Sequence, residues 1–530
     1  MSPRTKPKVQ GREKAVALTA ALTLAYTAWG FGGVVAWSLH IMLAGGLLTF
    51  LLAVAPLRFR GRRSEVRGQR SEVGGQRSEV GGQRSEVGGQ RKLQHSTTPP
   101  LHHSSTPTLH HSTTPLLHHS AFYFTAAFLL YLAIGALNPA WHIASDSRGW
   151  WIETVPPPLA DWLPTSIEAT YQQMNAWRIF NMHLAAFSLA LGLTIGLRHR
   201  RSIQFVLWTF LSSVALMALV AMVQKYTGAD TVLWTLKSEN PQFWGSFFYR
   251  NQGVAFLNWG IVIAGVVYFY HARRSRDQAR SGGPHFLAFC LIGLIAVSVA
   301  LALSRGGILF AAILLGVFLL LMVVDYASAT FNSPPAVIIP LTCILALLLA
   351  AGLFQASKAI DWQAIEHRFG DIEATLENAD RDARMLSSKQ TWRMAQDKLW
   401  TGWGAGSFRY AFPIYQQEIP ELFYTRYHPK KGWIGRKFYR YAHNDILQFL
   451  AEYGLIGSGL LLLAIASFLL PVFTALRTSP LAILFLLAGL ACAAGHAFLD
   501  FIFHSPAYWV AFIPGIALCS RLLRLESNRS

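Results

Sequence analysis

The chain has 530 residues, 52% of them hydrophobic and 14% charged, with a net charge of +19. A soluble domain carries about 25% charged residues, so the basic balance does not describe a soluble nucleic-acid binder. A mean hydropathy of +0.32, with the charge gathered in clusters, is the profile of a polytopic membrane protein. Cys290, Cys343, Cys492 and Cys519 each lie in an apolar run without CxxC spacing, so neither a disulfide framework nor a zinc site is expected.

In chain order, the basic stretch MSPRTKPKVQGREK leads into apolar residues with no small-residue cleavage site and reads as a retained first span. About twelve stretches are long and apolar enough to cross a bilayer: 15–30, 36–56, 120–137, 178–197, 203–222, 253–271, 285–303, 307–324, 336–354, 454–476, 480–498 and 505–520. Lipid offers backbone groups no partner outside their own segment, so these are helices. The expected fold class is all-α, a polytopic membrane protein of about 12 transmembrane helices with one large extracytoplasmic helical loop. Arg4, Lys6, Lys8, Arg12 and Lys14 place the N-terminus in the cytoplasm. Alternate crossing then puts Arg198, Arg200 and Arg201, next Arg273, Arg274, Arg276 and Arg280, and finally Arg521, Arg524 and Arg529 on that same side. Both termini are cytoplasmic on this reading. The chain divides into two spans (1–56), a low-complexity cytoplasmic linker (57–119), spans three to nine (120–354), an extracytoplasmic catalytic loop (355–453), and the last three spans with a short tail (454–530).

In the linker, SEVxGQR recurs at Ser64, Ser71, Ser78 and Ser85, followed by LHHS units. One Val per seven residues makes no coiled-coil seam and the glycines oppose helix, so the segment is expected to be disordered. Its HH pairs read as repeat expansion rather than as a metal site.

Arg250 in FFYRNQGVAFL opens a span, and Arg305 in LALSRGGILF sits between two spans with almost no loop. An arginine at membrane depth is costly unless water or an anion meets it. Gly306 and Gly307 leave the backbone beside Arg305 open, and Ser304 adds a hydroxyl. The loop holds a helix over 384–399, bearing Arg384 and Arg393 with Met385, Trp392, Met394 and Ala395 among its apolar positions, and the GWGAG run ends it. That run lacks the Lys-Ser/Thr tail of a phosphate loop. Arg426, Lys430, Lys431, Arg436, Lys437 and Arg440 then interleave with Tyr427, Trp433, Phe438, Tyr439 and Tyr441. The pattern suits sugar phosphates or lipid headgroups, and an extracytoplasmic loop makes nucleic acid an unsuitable partner. In HNDILQFLAEYGLIG, Asn444 is positioned as an N-cap, Asp445, Gln448 and Glu452 share one helix face, and Ile446, Leu447, Leu450 and Tyr453 share another. His443 stands at the helix mouth, where an imidazole can serve as a general base. Asp380 and Asp382 form a DxD inside the alternating-charge run ENADRDAR, which reads as solvated charge rather than a metal pair. The short outside loop at 31–35 holds no acid, unlike that of metal-dependent oligosaccharyltransferases.

Four stretches together resemble the O-antigen ligase and O-antigen polymerase family: SRGG at 304–307, the 384–408 block ending GWGAGSF, HNDILQFLAEYGLIG at 443–457, and DFIFHSPAYW at 500–509. The placement of the large loop before the last three spans also fits, whereas the repeat insert departs from the family pattern. The resemblance implies metal-independent and cofactor-free transfer of a glycan from undecaprenyl diphosphate, on the periplasmic face of a bacterial inner membrane. The acceptor is lipid A-core in ligases, another lipid-linked repeat in polymerases, and a protein hydroxyl in protein O-oligosaccharyltransferases. By position, Arg305 and Arg384 correspond to the pyrophosphate-binding pair and His443 to the base. Arg250, Arg393 and Arg440 are lesser candidates for anion contact, and Asp500 and His504 are matched without a role beyond orienting a helix end. Guanidinium forks match phosphate oxygens and keep their charge, so two arginines can stabilise a diphosphate leaving group. The alternative from another class is a transporter of lipid-linked glycan. Ion-coupled transporters bury acids inside spans, and here Asp325 and Asp500 lie at span ends.

Overall fold

The computed structural model describes residues 11–55, 120–147, 149–171, 174–278, 282–330 and 383–527. The expected span at 336–354, the DxD pair and nearly all of the repeat linker lie outside them. The described chain is a helical membrane bundle. Its helices are α1 (Gly11–Thr27), α2 (Ala36–Val54), α3 (Ser120–Leu137), α4 (Ala176–Gly196), α5 (Arg200–Tyr226), α6 (Arg250–Asp277), α7 (Pro284–Leu301), α8 (Arg305–Thr330), α9 (Ala383–Asp397), α10 (Phe408–Gln416), α11 (Pro420–Phe423), α12 (Asp445–Leu469), α13 (Pro480–Leu499) and α14 (Pro506–Ser527). Among the described residues, ten helices are long and apolar enough to cross a membrane: α2 to α8, α12 with its 3-10 extension, α13 and α14. The expected first span is also helical, as the 17-residue α1.

Helices α6 and α14 occupy the middle of the bundle. Of the apolar window of each, 94% is buried, against 33% for α2, α3, α7, α8 and α12. A helix apolar all round requires protein or lipid on every side, and α6 and α14 find protein. The peripheral helices turn residues such as Leu130, Leu320 and Leu462 outward, as lipid-facing positions do.

The two ends of the bundle differ in chemistry. At one end Arg12 donates to the Leu52 carbonyl, Arg521 to the Leu197 carbonyl, and Arg200 pairs with Glu526. Arg276 pairs with Asp325 at 2.5 Å, and Glu13 accepts from the Arg198 and His199 amides. These are the cations that the sequence groups on one side. At the other end lie the starts of α6, α8, α12 and α14.

Above that second end is a separate apolar core containing Trp141, Ile167, Met394, Trp403, Phe408, Phe412 and Tyr415. Small strands support it. β1 (Pro139–Asp146) pairs antiparallel with β2 (Gly149–Thr154), Trp141 opposite Thr154, and parallel with β3 (Ser166–Glu168). β4 (Thr231–Val232) and β5 (Leu236–Lys237) form a second pair. β6 (Arg426–His428) and β7 (Gly432–Ile434) make a hairpin from the basic, aromatic stretch. The sequence reading had no strands; these are short additions to an all-α bundle.

Candidate active site

His443 sits in the turn before α12 with φ +56°, a left-handed backbone that costs a non-glycine residue about 1–3 kcal/mol unless its surroundings fix it. Asn444 is the N-cap, its side chain accepting from the Leu447 amide at 3.1 Å, as expected for an Asn before an apolar helix. The turn aims the imidazole at the segment between α13 and α14. Nδ1 of His443 lies 3.4 Å from Oδ1 of Asp500, with the His side chain 28% and the Asp side chain 4% exposed. The separation is an ion-pair distance rather than a good hydrogen bond, and among the described residues this buried nitrogen makes no hydrogen bond. Phe501 packs edge-on against the ring at 4.7 Å.

Asp500 is tied to the mouth of α6 and α8. Its Oδ1 accepts from the Phe501 amide at 2.9 Å, and its Oδ2 accepts from the Asn251 side chain and, at 3.5 Å, from the Tyr249 hydroxyl. Asn251 in turn accepts from the Ser304 hydroxyl at 2.8 Å, and Ser304 immediately precedes Arg305. A Cβ on Gly306 would lie 3.2 Å from Nε2 of His496, one turn before Asp500. This chain of contacts brings the SRGG junction and the histidine block, far apart in sequence, to one place. Arg384, in the first turn of α9, is exposed, and its charge reaches Asp500 and Tyr249. Arg250 borders Tyr249 as well.

The electrostatics follow from these neighbours. Burial raises the Asp500 carboxyl, but the contact and charge of His443, then Arg384 and His496, outweigh it, and the net direction is below the ordinary aspartate range. Burial, with the Asp500 charge second, pushes the Tyr249 phenol up, so Tyr249 stays a hydrogen-bond donor at neutral pH. The site also lies at several helix N-termini, which favour anions. Among the described residues, no group of three His, Cys, Asp or Glu comes together to hold a metal.

A second polar layer lies behind the first. Asp445, fully buried, accepts from Nδ1 of His504 at 2.7 Å and from the Phe503 amide at 2.8 Å. Gln448 and Glu452 continue along the same helix face. Glu452 accepts from the amides of Gly406 at 2.9 Å and Phe408 at 3.2 Å, so its carboxylate holds the GWGAGSF turn. That turn meets an opening in α12 at Gly454, where φ is +62° and ψ −172°. The Trp403 and Gly404 amides donate to the Ala451 and Glu452 carbonyls, and the Leu455 and Ile456 amides donate to the Leu399 and Trp400 carbonyls. A Cβ on Gly454 would lie 2.4 Å from the Trp400 carbonyl oxygen, and one on Gly402 would lie 2.3 Å from that of Glu452. The two glycine-rich blocks are therefore the two halves of one backbone joint. The Tyr131 hydroxyl lies 2.7 Å from both the Thr401 and Tyr453 carbonyls and seals it.

The other expected site residues stand on the surface. Arg393 pairs with Glu418 at 2.6 Å and Arg440 with Glu239 at 2.9 Å, with more than half of each arginine side chain exposed. The sequence reading passed over two cations at this end. The Arg409 guanidinium lies 5.5 Å over the Tyr441 ring, and Arg178 donates to the Val34 carbonyl. It also left Asp500 and His504 without partners. The available signal was that Asp500 is the only acid between Glu452 and Glu526.

Residues 288–462 match the family model described as O-antigen ligase. The match supports assignment of the chain to the O-antigen ligase and polymerase family, and with it glycan transfer of that general type by a multi-pass membrane protein. It spans Arg305, Arg384 and His443, while Asp500 and His504 lie beyond it. No curated protein matches the chain.

Proposed function

We propose that the protein transfers a glycan from undecaprenyl diphosphate to an acceptor hydroxyl on the extracytoplasmic face of a bacterial inner membrane. The observation that carries this reading is the His443–Asp500 pair at the helix mouth, within the field of Arg384 and linked through Asn251 and Ser304 to the start of α8. In the reaction, the acceptor O–H proton passes to Nε2 of His443 and the oxygen bonds to the anomeric carbon. The bond from that carbon to the diphosphate breaks, and its electrons stay with the lipid diphosphate. Arg305 and Arg384 bind that diphosphate and hold the charge that develops on it, the part a metal plays elsewhere. Direct displacement inverts the anomeric centre. Arg250, beside Tyr249, is a further anion contact, and Arg393 and Arg440 are outer ones reached from their surface pairs. Support for the orientation comes from the opposite end of the bundle, whose arginines fit the cytoplasmic side; both termini are cytoplasmic on this reading.

The test is His443→Ala in cells, with surface glycans analysed. Loss of glycan display by about 10²–10⁴ in transfer rate is expected for removal of a general base; normal display with well-expressed protein would sink the assignment. Full activity in EDTA is expected, and its loss would remove the metal-free part of the reading. A deletion strain identifies the acceptor class: accumulated long lipid-linked polymer means ligase, single repeats mean polymerase, and a protein that loses its glycan means protein glycosylation. Continued transfer by the His443 variant with failed export of lipid-linked glycan would indicate transport.

A further inference from the structure

His443 and Asp500 come from two separate turns, and one buried imidazole lies between the side chains that anchor both. His504 donates from Nδ1 to Asp445 and lies 2.7 Å through Nε2 from the Gln448 amide nitrogen. An amide nitrogen only donates, so Nε2 is the acceptor and the proton of a neutral imidazole sits on Nδ1. The Gln448 amide spends its other hydrogen on Glu452 at 3.0 Å, and its oxygen accepts from the Ala442 amide at 2.9 Å. Asp445 accepts from the Phe503 amide, and its own amide donates to the Asp500 carbonyl at 3.3 Å. The backbone on either side of His443, at Ala442 and at Asp445, is thus held by the two side chains that His504 bridges. The same imidazole is part of the turn that carries Asp500. Every member of the network is buried, with His504 5%, Gln448 1%, Glu452 1% and Asp445 0% exposed. A fully satisfied network of this kind fixes geometry closely, and the left-handed backbone at His443 requires such fixing.

We infer that His504 is a positioning residue: by bridging Asp445 and Gln448 it sets the distance and orientation of His443 relative to Asp500. The inference rests on the reading of His443 as the base, and it is tested first without turnover. The full-length protein in lipid nanodiscs is treated with diethyl pyrocarbonate, and the pH dependence of His443 modification is followed by mass spectrometry. Tyr249 donates to Asp500, the charges of Arg384 and His496 reach it, and Asp445 lies within its field; these four stay unchanged in the His504 variants. His504→Phe removes both bonds and is expected to move the His443 midpoint toward that of Asp500→Asn. It is also expected to lower kcat about 10-fold with donor KM unchanged. His504→Asn, whose amide stands where Nδ1 was, keeps the Asp445 bond and is expected to fall between wild type and His504→Phe. If His504→Phe does not yield a monodisperse protein, His504→Leu, which also lacks both bonds, and His504→Gln, which loses only the Asp445 bond, carry the comparison. A wild-type midpoint in folded variants that lack these bonds overturns the inference. Transfer by His443→Ala instead overturns the assignment of the base, while the modification midpoint still reports whether His504 sets the pair.

Discussion

The two ends of the bundle hold their charges differently. At the arginine-rich end most ion pairs are partly open to solvent: the Arg276 and Asp325 side chains are 38% and 14% exposed, and those of Arg200 and Glu526 are 11% and 26%, whereas Glu13, bonded to the Arg198 and His199 amides, is buried. At the opposite end Asp445, Glu452 and Asp500 are 0%, 1% and 3% exposed. A half-solvated pair contributes little and tolerates rearrangement. A buried carboxylate costs several kcal/mol unless its oxygens are bonded, and here each carboxylate is committed to backbone amides, an imidazole or a side-chain amide. Charge at the first end is the basis on which the orientation in the membrane is proposed. Charge at the second end fixes the backbone of the candidate site.

The contrast is open to test at decreasing scale. Gly454→Ala attacks the joint on which the second end is built. A Cβ there meets a backbone carbonyl at a left-handed φ, so a loss of about 3 kcal/mol or more is expected, read as yield and thermal stability of monodisperse protein. An unchanged melting profile would mean that the joint is not needed. Asp500→Asn keeps the shape and removes the charge behind His443; transfer is expected to fall about 10²-fold with the protein still folded. The same variant gives a pH signature. Because the folded Asp500 is held below its ordinary range, its contribution to stability is fully present above the unfolded value of about 3.9 and is lost as pH falls through the lower folded value. Acid unfolding curves of wild type and Asp500→Asn are therefore expected to converge below about pH 4; curves that stay equally separated down to the most acid point would contradict the direction of the shift. The smallest effects belong to surface pairs. Arg276→Ala and Arg393→Ala are each expected to change stability by under about 1 kcal/mol. For Arg393, an unchanged donor KM on substitution would remove it from the outer anion contacts and leave it as a surface pair.

Much of this was legible in the chain. The spans that fall within the described residues, the helix over 384–399 (found as Ala383–Asp397), the Asn444 cap and the shared face of Asp445, Gln448 and Glu452 follow from hydropathy, periodicity and one capping residue. These are properties of contiguous residues. The short strands were not read, because a few residues of Trp, Ile and Thr carry little periodic signal. Arg305 is visible as a costly cation at a span end and His443 as an imidazole at a helix mouth, but their connections are not. The GWGAG and EYGLIG blocks were noted separately, and nothing in either shows that one closes the backbone of the other.

The sequence by itself determined a helical membrane protein and the clustering of its cations in alternate loops. Each of these depends on bilayer thickness and on backbone hydrogen bonds closed within a segment. Tertiary structure alone decided that His443 faces Asp500, that Arg393 and Arg440 rest against surface carboxylates, and that His504 meets Asp445 from 59 positions away. Those pairings depend on how α6, α8, α12, α13 and α14 pack at one end. Packing selects partners by shape and by the need to satisfy every buried polar group, and neither constraint is local in sequence.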